Sequence, residues 1–147
     1  IQDLVLEISK SFEEITEKEI YLNFDKAKHE VLINRSSEIT YGIRNFFGNA
    51  VKFSKSKVDI VIETDPKITS ISIKDDGPGF PDDIAELIGE PYISSKYQNL
   101  NEKSGLGLGT FIGKTLLERN FAKLKFSNLA KEGAEVKIYW DTQKIKI

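Results

Sequence analysis

The 147-residue sequence predicts an α/β domain built on a mixed or antiparallel sheet. Three observations carry this. Several stretches alternate apolar and polar residues at period two, the mark of a half-buried strand. Others repeat apolar residues at helical spacing. Their order is helix, strands, helix, strands, loop, helix, strands, unlike the βαβαβ series of a parallel sheet.

Leu4, Val5, Ile8, Phe12 and Ile15 share a helical face, so residues 1–16 are expected to form an amphipathic helix. EIYLNFD (19–25) sets Ile20, Leu22 and Phe24 on one face of a strand, and VLI (31–33) predicts a second, short one. Ser36 or Ser37 can cap a helix running to Phe53. KVDIVIET (57–64) alternates, Asp65-Pro66 turns the chain, and SISIK (70–74) alternates again. DDGPGF (75–80) then forms a turn. Residues 81–104 show little periodicity and predict a short helix over 82–88 followed by a long loop, of the kind that is usually functional or mobile. GLGLG (105–109) leads into a helix over 110–119, and LKFSN and AEVKIYW close the chain as strands. There is no internal repeat or linker, so the 147 residues are expected to form one domain.

Composition narrows the function. The net charge of -2 comes from interleaved Lys and Glu/Asp, which argues against a nucleic-acid binder. With no cysteine and one histidine, thiolate sites and multi-histidine metal sites are excluded. No apolar run approaches the ~18–20 residues of a membrane span. The chain begins at Ile1 inside a predicted helix, so it is expected to be a fragment of a longer protein.

Within RNFFGNAVKFS (44–54), Ile39, Ile43, Phe46, Phe47, Ala50 and Phe53 form the sheet-packing face of the helix. Asn45, Asn49 and Lys52, at i, i+4 and i+7, form a separate stripe. Amide oxygens suit Mg²⁺, and Lys52 would supply a point charge for phosphates. The plain alternative is a solvent face; it suits Lys52 better than the asparagines, since exposed helix positions favour Glu, Lys or Gln.

DDGPG offers Asp75 at a strand end, where a carboxylate can accept from an exocyclic amine, and Gly77 and Gly79, which admit a flat ring close to the backbone. By itself it is more simply a β-turn. GLGLG presents successive backbone N–H groups at the start of a helix, a phosphate-binding arrangement. It does not fit the dinucleotide fingerprint, whose third glycine would fall at Thr110. GKT (113–115) lacks the P-loop's first glycine, that position being Leu108, and Lys114 is expected at the surface.

In order, N-x-x-x-N-A-x-K-F, D-x-G-x-G, E-P-Y and G-L-G-L-G resemble the N, G1, F and G2 boxes of the ATP-binding domain of sensor histidine kinases, in the wider GHKL group. The resemblance spans essentially the whole chain. It implies a two-layer sandwich of helices on one face of a mixed, mostly antiparallel sheet, with ATP between the Asn helix and a lid. It implies that Asn49, assisted by Asn45, binds Mg²⁺, that Lys52 approaches the phosphates and that Phe53 flanks the nucleotide. Asp75 would hold the adenine amine, with Gly77 and Gly79 shaping the base pocket. The lid would run over about 92–104, starting at Tyr92 where the family has Phe. Gly105, Leu106, Gly107, Leu108 and Gly109 would wrap the phosphates, with Thr110 beside them. Asp76 replaces a common Asn, an acid that the sequence leaves without a role. GEPYISSK and GLGLGTFIGKTLLER also resemble the RegB/PrrB branch of membrane-anchored redox sensor kinases, although the redox cysteine of that branch is absent.

The GHKL ATPases place a general-base Glu where this chain has Asn45, and an amide cannot take that proton. The resemblance therefore implies a kinase catalytic module in two-component signal transduction. It would transfer phosphoryl from ATP to a histidine on a separate dimerisation domain, with a response regulator downstream, in the cytoplasm and without direct membrane contact. His29 lacks the following Pro of a phosphoacceptor motif and is expected at the surface or a strand edge. The alternatives are a GHKL serine kinase or ATPase and a non-catalytic docking module. The first would need an acidic base near the Asn helix. The last would have lost Asn49, Asp75 or the glycine loop.

Overall fold

A computed structural model describes residues 1–80 and 108–147. The predicted helix over 82–88, the lid and residues 105–107 lie outside the described residues. Helix α1 (Gln2–Glu13) leads to strand β1 (Glu19–Ala27), helix α2 (Ser37–Phe53) and strands β2 (Lys57–Thr64) and β3 (Ile68–Asp75). Helix α3 (Leu108–Arg119), strands β4 (Lys123–Asn128) and β5 (Ala134–Asp141) and a last turn, α4 (Thr142–Ile145), follow.

The five strands form one sheet in the order β1-β2-β3-β5-β4. Only β1 and β2 run parallel, joined by α2 as a crossover; every other pair is antiparallel. This is the mixed, mostly antiparallel sheet that the sequence predicts. Register follows from alternation, because a slip of one residue would turn every apolar side chain outward. Leu22, Ile60, Ile73, Val136 and Phe126 stand in one row across all five strands. They belong to the core that the helices cover, with Ile43, Phe46 and Phe47 of α2 fully buried against it. The α2 N-terminus is capped by Ser36, whose side chain accepts from Ile39 N–H at 3.3 Å.

Two predicted boundaries change. Residues 31–33 make no strand; Ile33 forms only an isolated bridge with Lys146. Val31 is fully buried while Leu32 is 60% exposed, so three residues of alternation here serve a tether between the chain ends. Ile1 N donates to Val31 O at 2.5 Å, and Ile147 N–H to Leu32 O at 2.8 Å. The first helix stops at Glu13, short of residue 16, and leaves Ile15 exposed. Asp65-Pro66 turns the chain as expected, with Asp65 accepting from the N–H groups of Lys67 and Ile68.

Asp76 acquires a role here. Its carboxylate accepts from Lys55 N–H at 2.7 Å, Ser56 N–H at 3.1 Å and the Ser56 hydroxyl at 2.7 Å, tying the turn after β3 to the α2–β2 connection. Partial burial pulls this carboxyl upward, but the Ser56 hydroxyl and the N–H groups of Ser56, Lys57 and Lys55 outweigh it and hold it well below the usual carboxylate range. A depressed folded-state value contributes stability above the unfolded value and loses it as pH falls through the folded one. Asp76→Ala should therefore cost about 1–2 kcal/mol at pH 7, with the gap to the parent chain closing below about pH 4. Urea unfolding across pH measures both.

Candidate functional site

Period two in β3 decides where the acid goes. Ile71 and Ile73 face the core, so Asp75, the next residue of the same phase, also points to the helix-covered side. A cavity there is lined by Asn49, Ala50 and Phe53 of α2, Ile73 and Asp75 of β3, Thr110 of α3, and the rings of Phe46, Phe80 and Phe126, with Val136. Phe126 packs on Phe46 at 5.8 Å and edge-on to Phe80 at 6.1 Å. Apolar rings form most of the wall, and three polar heads converge on it.

Asp75 accepts from Gly77 N–H at 2.8 Å. Burial pushes its carboxyl up from the usual range, and the like charge of Asp76 adds to that; the N–H groups of Gly77 and Ala134 and the cation of Lys18 oppose it. Lys18 reaches the end of α2, where its Nζ donates to Val51 O at 2.6 Å and Ser54 O at 2.7 Å. A cation on these last carbonyls also complements the negative end of the helix.

The turn after Asp75 is tightly walled. A Cβ on Gly77 would overlap the Phe53 carbonyl. Gly79, at φ 82°, faces Asn128 Oδ1, and Gly133, at φ 105°, lies against the Asp75 carbonyl. The Asn128 side chain pairs twice with Phe80, accepting from its N–H and donating to its C=O, both at 2.7 Å. The glycines thus meet the protein's own backbone, a packing reason for small residues that adds to the expected shaping of a base pocket.

Asn49 Nδ2 donates to the buried Thr110 hydroxyl at 3.1 Å, and its Oδ1 has no partner among the described residues. Asn45 lies one turn back in the α2–α3 seam, against Gly109 and Gly113, with its Oδ1 buried and unpartnered among the described residues. Leaving such an oxygen unmet costs about 1–3 kcal/mol. Lys52 is exposed at the rim, its Nζ 5.4 Å from the Phe53 ring centroid.

The structure therefore brings together Asn49, Phe53, Asp75 and Thr110, with Gly77 in the adjoining turn. Asn45 sits behind them and Lys52 outside. Leu108 and Gly109, expected in the loop, form the first residues of α3. Tyr92, Gly105, Leu106 and Gly107 lie outside the described residues. Lys114 pairs with Glu118 on its own helix at 3.7 Å. His29 is exposed, bonded through its backbone to Thr64, at the opposite end of the sheet from Asp75. Sequence reasoning missed Phe46 and Phe126 as site walls, Gly133 and Lys18. Phe126 was findable as the apolar phase of LKFSN, and Gly133 as a glycine before a strand; Lys18 carries no local signal.

A family model described as histidine kinase-, DNA gyrase B- and HSP90-like ATPase matches residues 34–144. The chain belongs to this family. Among the histidine kinase-like ATPases, sensor histidine kinase RegB of Cereibacter sphaeroides is 33% identical over 89% of the chain. The chain spans about a third of that relative, 32% of its length. Sporulation kinase A of Bacillus subtilis is 25% identical over 81% of the chain and 19% of its own length. In fold, the catalytic domain of histidine kinase ThkA, nucleotide-free, superposes with a TM-score of 0.76 at 19% identity, covering 97% of this chain and 93% of that one. A mycobacterial sensor histidine kinase, MprB, gives 0.70 at 23% identity and 91% coverage of both. The two-layer arrangement of this chain is that of these family catalytic domains.

The raised Asp75 carboxyl makes a stability prediction. Its contribution is fully present below the unfolded value and is lost as pH rises through the folded one. Asp75→Asn should thus match or exceed the parent in melting temperature at pH 7, with the difference vanishing toward about pH 4. A variant clearly less stable at pH 7 would contradict the burial of a charged carboxylate.

Proposed function

We propose that this chain is the ATP-binding catalytic domain of a histidine kinase in two-component signalling. It binds Mg-ATP and transfers the γ-phosphoryl group to a histidine on a separate dimerisation domain of the same kinase. A response regulator stands downstream, and the domain works in the cytoplasm. Family membership and the sensor-kinase relatives support this reading. The observation that carries it is the pairing, in one apolar cavity, of a desolvated Asp75 carboxylate with an Asn49 amide locked by Thr110.

The residues present fit a hard cation held mainly by its substrate. The Asn45 and Asn49 Oδ1 atoms, neither with a partner among the described residues, lie one helical turn apart. Among the described residues no cluster of three or more His, Cys, Asp or Glu stands ready for a metal, so amide oxygens and phosphates would share it. Mg²⁺, when bound, neutralises phosphate charge. Asp75 accepts from the adenine 6-amino group, and Phe46, Phe80 and Phe126 exclude water around the base. Thr110 fixes the Asn49 rotamer, so the amide is oriented before the nucleotide arrives. Lys52, at the rim, adds a screened positive charge near the phosphates.

The choice of kinase over ATPase rests on Asn45. It offers no base to an attacking water, and its side chain lies against Gly109 and Gly113 of α3. The γ-phosphoryl is thereby spared for an imidazole delivered by the partner domain.

Asn49→Ala should abolish Mg²⁺-dependent ATP binding while leaving the fold intact, as titration calorimetry with and without Mg²⁺ would read; unchanged Mg-ATP affinity refutes the metal role. Mixing the chain with γ-labelled ATP and the helical-hairpin domain of its parent kinase should give acid-labile phosphohistidine on the hairpin. Binding without label would leave a nucleotide-responsive docking module.

A further inference from the structure

The far end of α3 closes in a Schellman arrangement: Ala122 N–H donates to Leu117 C=O at 3.0 Å and Phe121 N–H to Glu118 C=O at 3.1 Å. Phe121 occupies the left-handed position of that motif, at φ 70°. Glycine is the usual residue there, because a Cβ crowds the neighbouring carbonyl. A bulky aromatic in this conformation is strained. Nor is it recovered by burial, since Phe121 is 60% exposed.

Its neighbours form a surface. Phe121, Ile68 (52% exposed) and Trp140 line a groove of about 300 Å³ together with Lys67, Lys123 and Lys144. None of these lysines forms an ion pair among the described residues. One acid, Asp141, shares the groove, and its carboxylate is engaged with Gln143 N–H at 3.0 Å. A basic groove thus stands out on a chain of net charge -2. It is distinct from the nucleotide cavity: Ile68 and Asp75 are opposite ends of β3, about 23 Å apart at strand rise.

We propose that this groove docks an acidic peptide segment of a protein partner, which sets an apolar side chain on Phe121 and Ile68 and its carboxylates on the three lysines. Charge complementarity selects this occupant. A second copy in a two-fold contact would bring basic groove against basic groove. An anionic membrane would meet a concave surface containing Asp141, a poorer match than a narrow segment.

The chain's single tryptophan, Trp140, lies in the groove and reports occupancy by fluorescence. The probe is a short synthetic peptide in which a Phe-Leu pair is flanked by glutamates. It should bind at roughly 100 µM and weaken as salt rises; a peptide with lysines in place of the glutamates should not bind. Phe121→Gly should lower that affinity about tenfold or more while leaving the melting temperature unchanged or raising it by about 2–4 °C. Lys123→Glu should weaken binding with an unaltered melt. A Phe121→Gly variant that unfolds or melts lower makes the aromatic a packing residue and overturns the proposal. So does equal binding of the two peptides, or binding to phosphatidylglycerol vesicles without binding to the acidic peptide.

Discussion

The turn that follows Asp75 has no room for a side chain where it crosses the end of α2. At Gly77 the Phe53 carbonyl occupies the space of a Cβ, and at Gly133 the Asp75 carbonyl does the same. Three backbones are therefore in contact: the last turn of α2, the end of β3 and the β4–β5 connection. Asp76 and Lys18 hold this junction from two sides, one through the N–H groups after the helix and the other through its final carbonyls. Because these main chains pack without space between them, they set the positions of Phe53, Asp75 and Phe80 around the cavity. The site is built on close-packed main chain, which positions groups better than side-chain contacts alone.

Sheet and helices were legible wherever hydrophobic period was long. The eight residues of β2 and the apolar face of α2 left one reading each. Residues 31–33 misled because three residues carry too little period to separate a strand from an extended tether, and hydrogen bonds from both chain ends claim that backbone. The end of α1 was overdrawn because Ile15 fits the helical phase, yet nothing covers it there. In the site, Asn49 stood out because asparagine is unusual on a helix face, whereas Phe53 and Asp75 were legible only through the family resemblance, since by themselves they read as a packing residue and a turn. Asp76 and Lys18 were not, since each acts on backbone groups that are distant in sequence, and no local pattern encodes a contact with main chain. Asn45 and Asn49 looked equivalent on the helical wheel; only the approach of α3 separates one into the seam and the other into the cavity.

Packing between α2 and α3 depends on small residues. Gly42 faces Leu117, and Gly113 faces Asn45, so the two helices approach closely along a run that ends at Asn49 and Thr110. The same helix α3 carries Phe121 at its other end. Its N-terminus orients the amide of the cavity, and its C-terminus holds a strained aromatic in the basic groove.

The two ends of the chain bond to consecutive residues, Val31 and Leu32, on one side of the domain. The β1–α2 connection is thus a clasp: one short stretch of backbone holds the start of α1 and the turn after β5, so loosening it would free the first and last elements together.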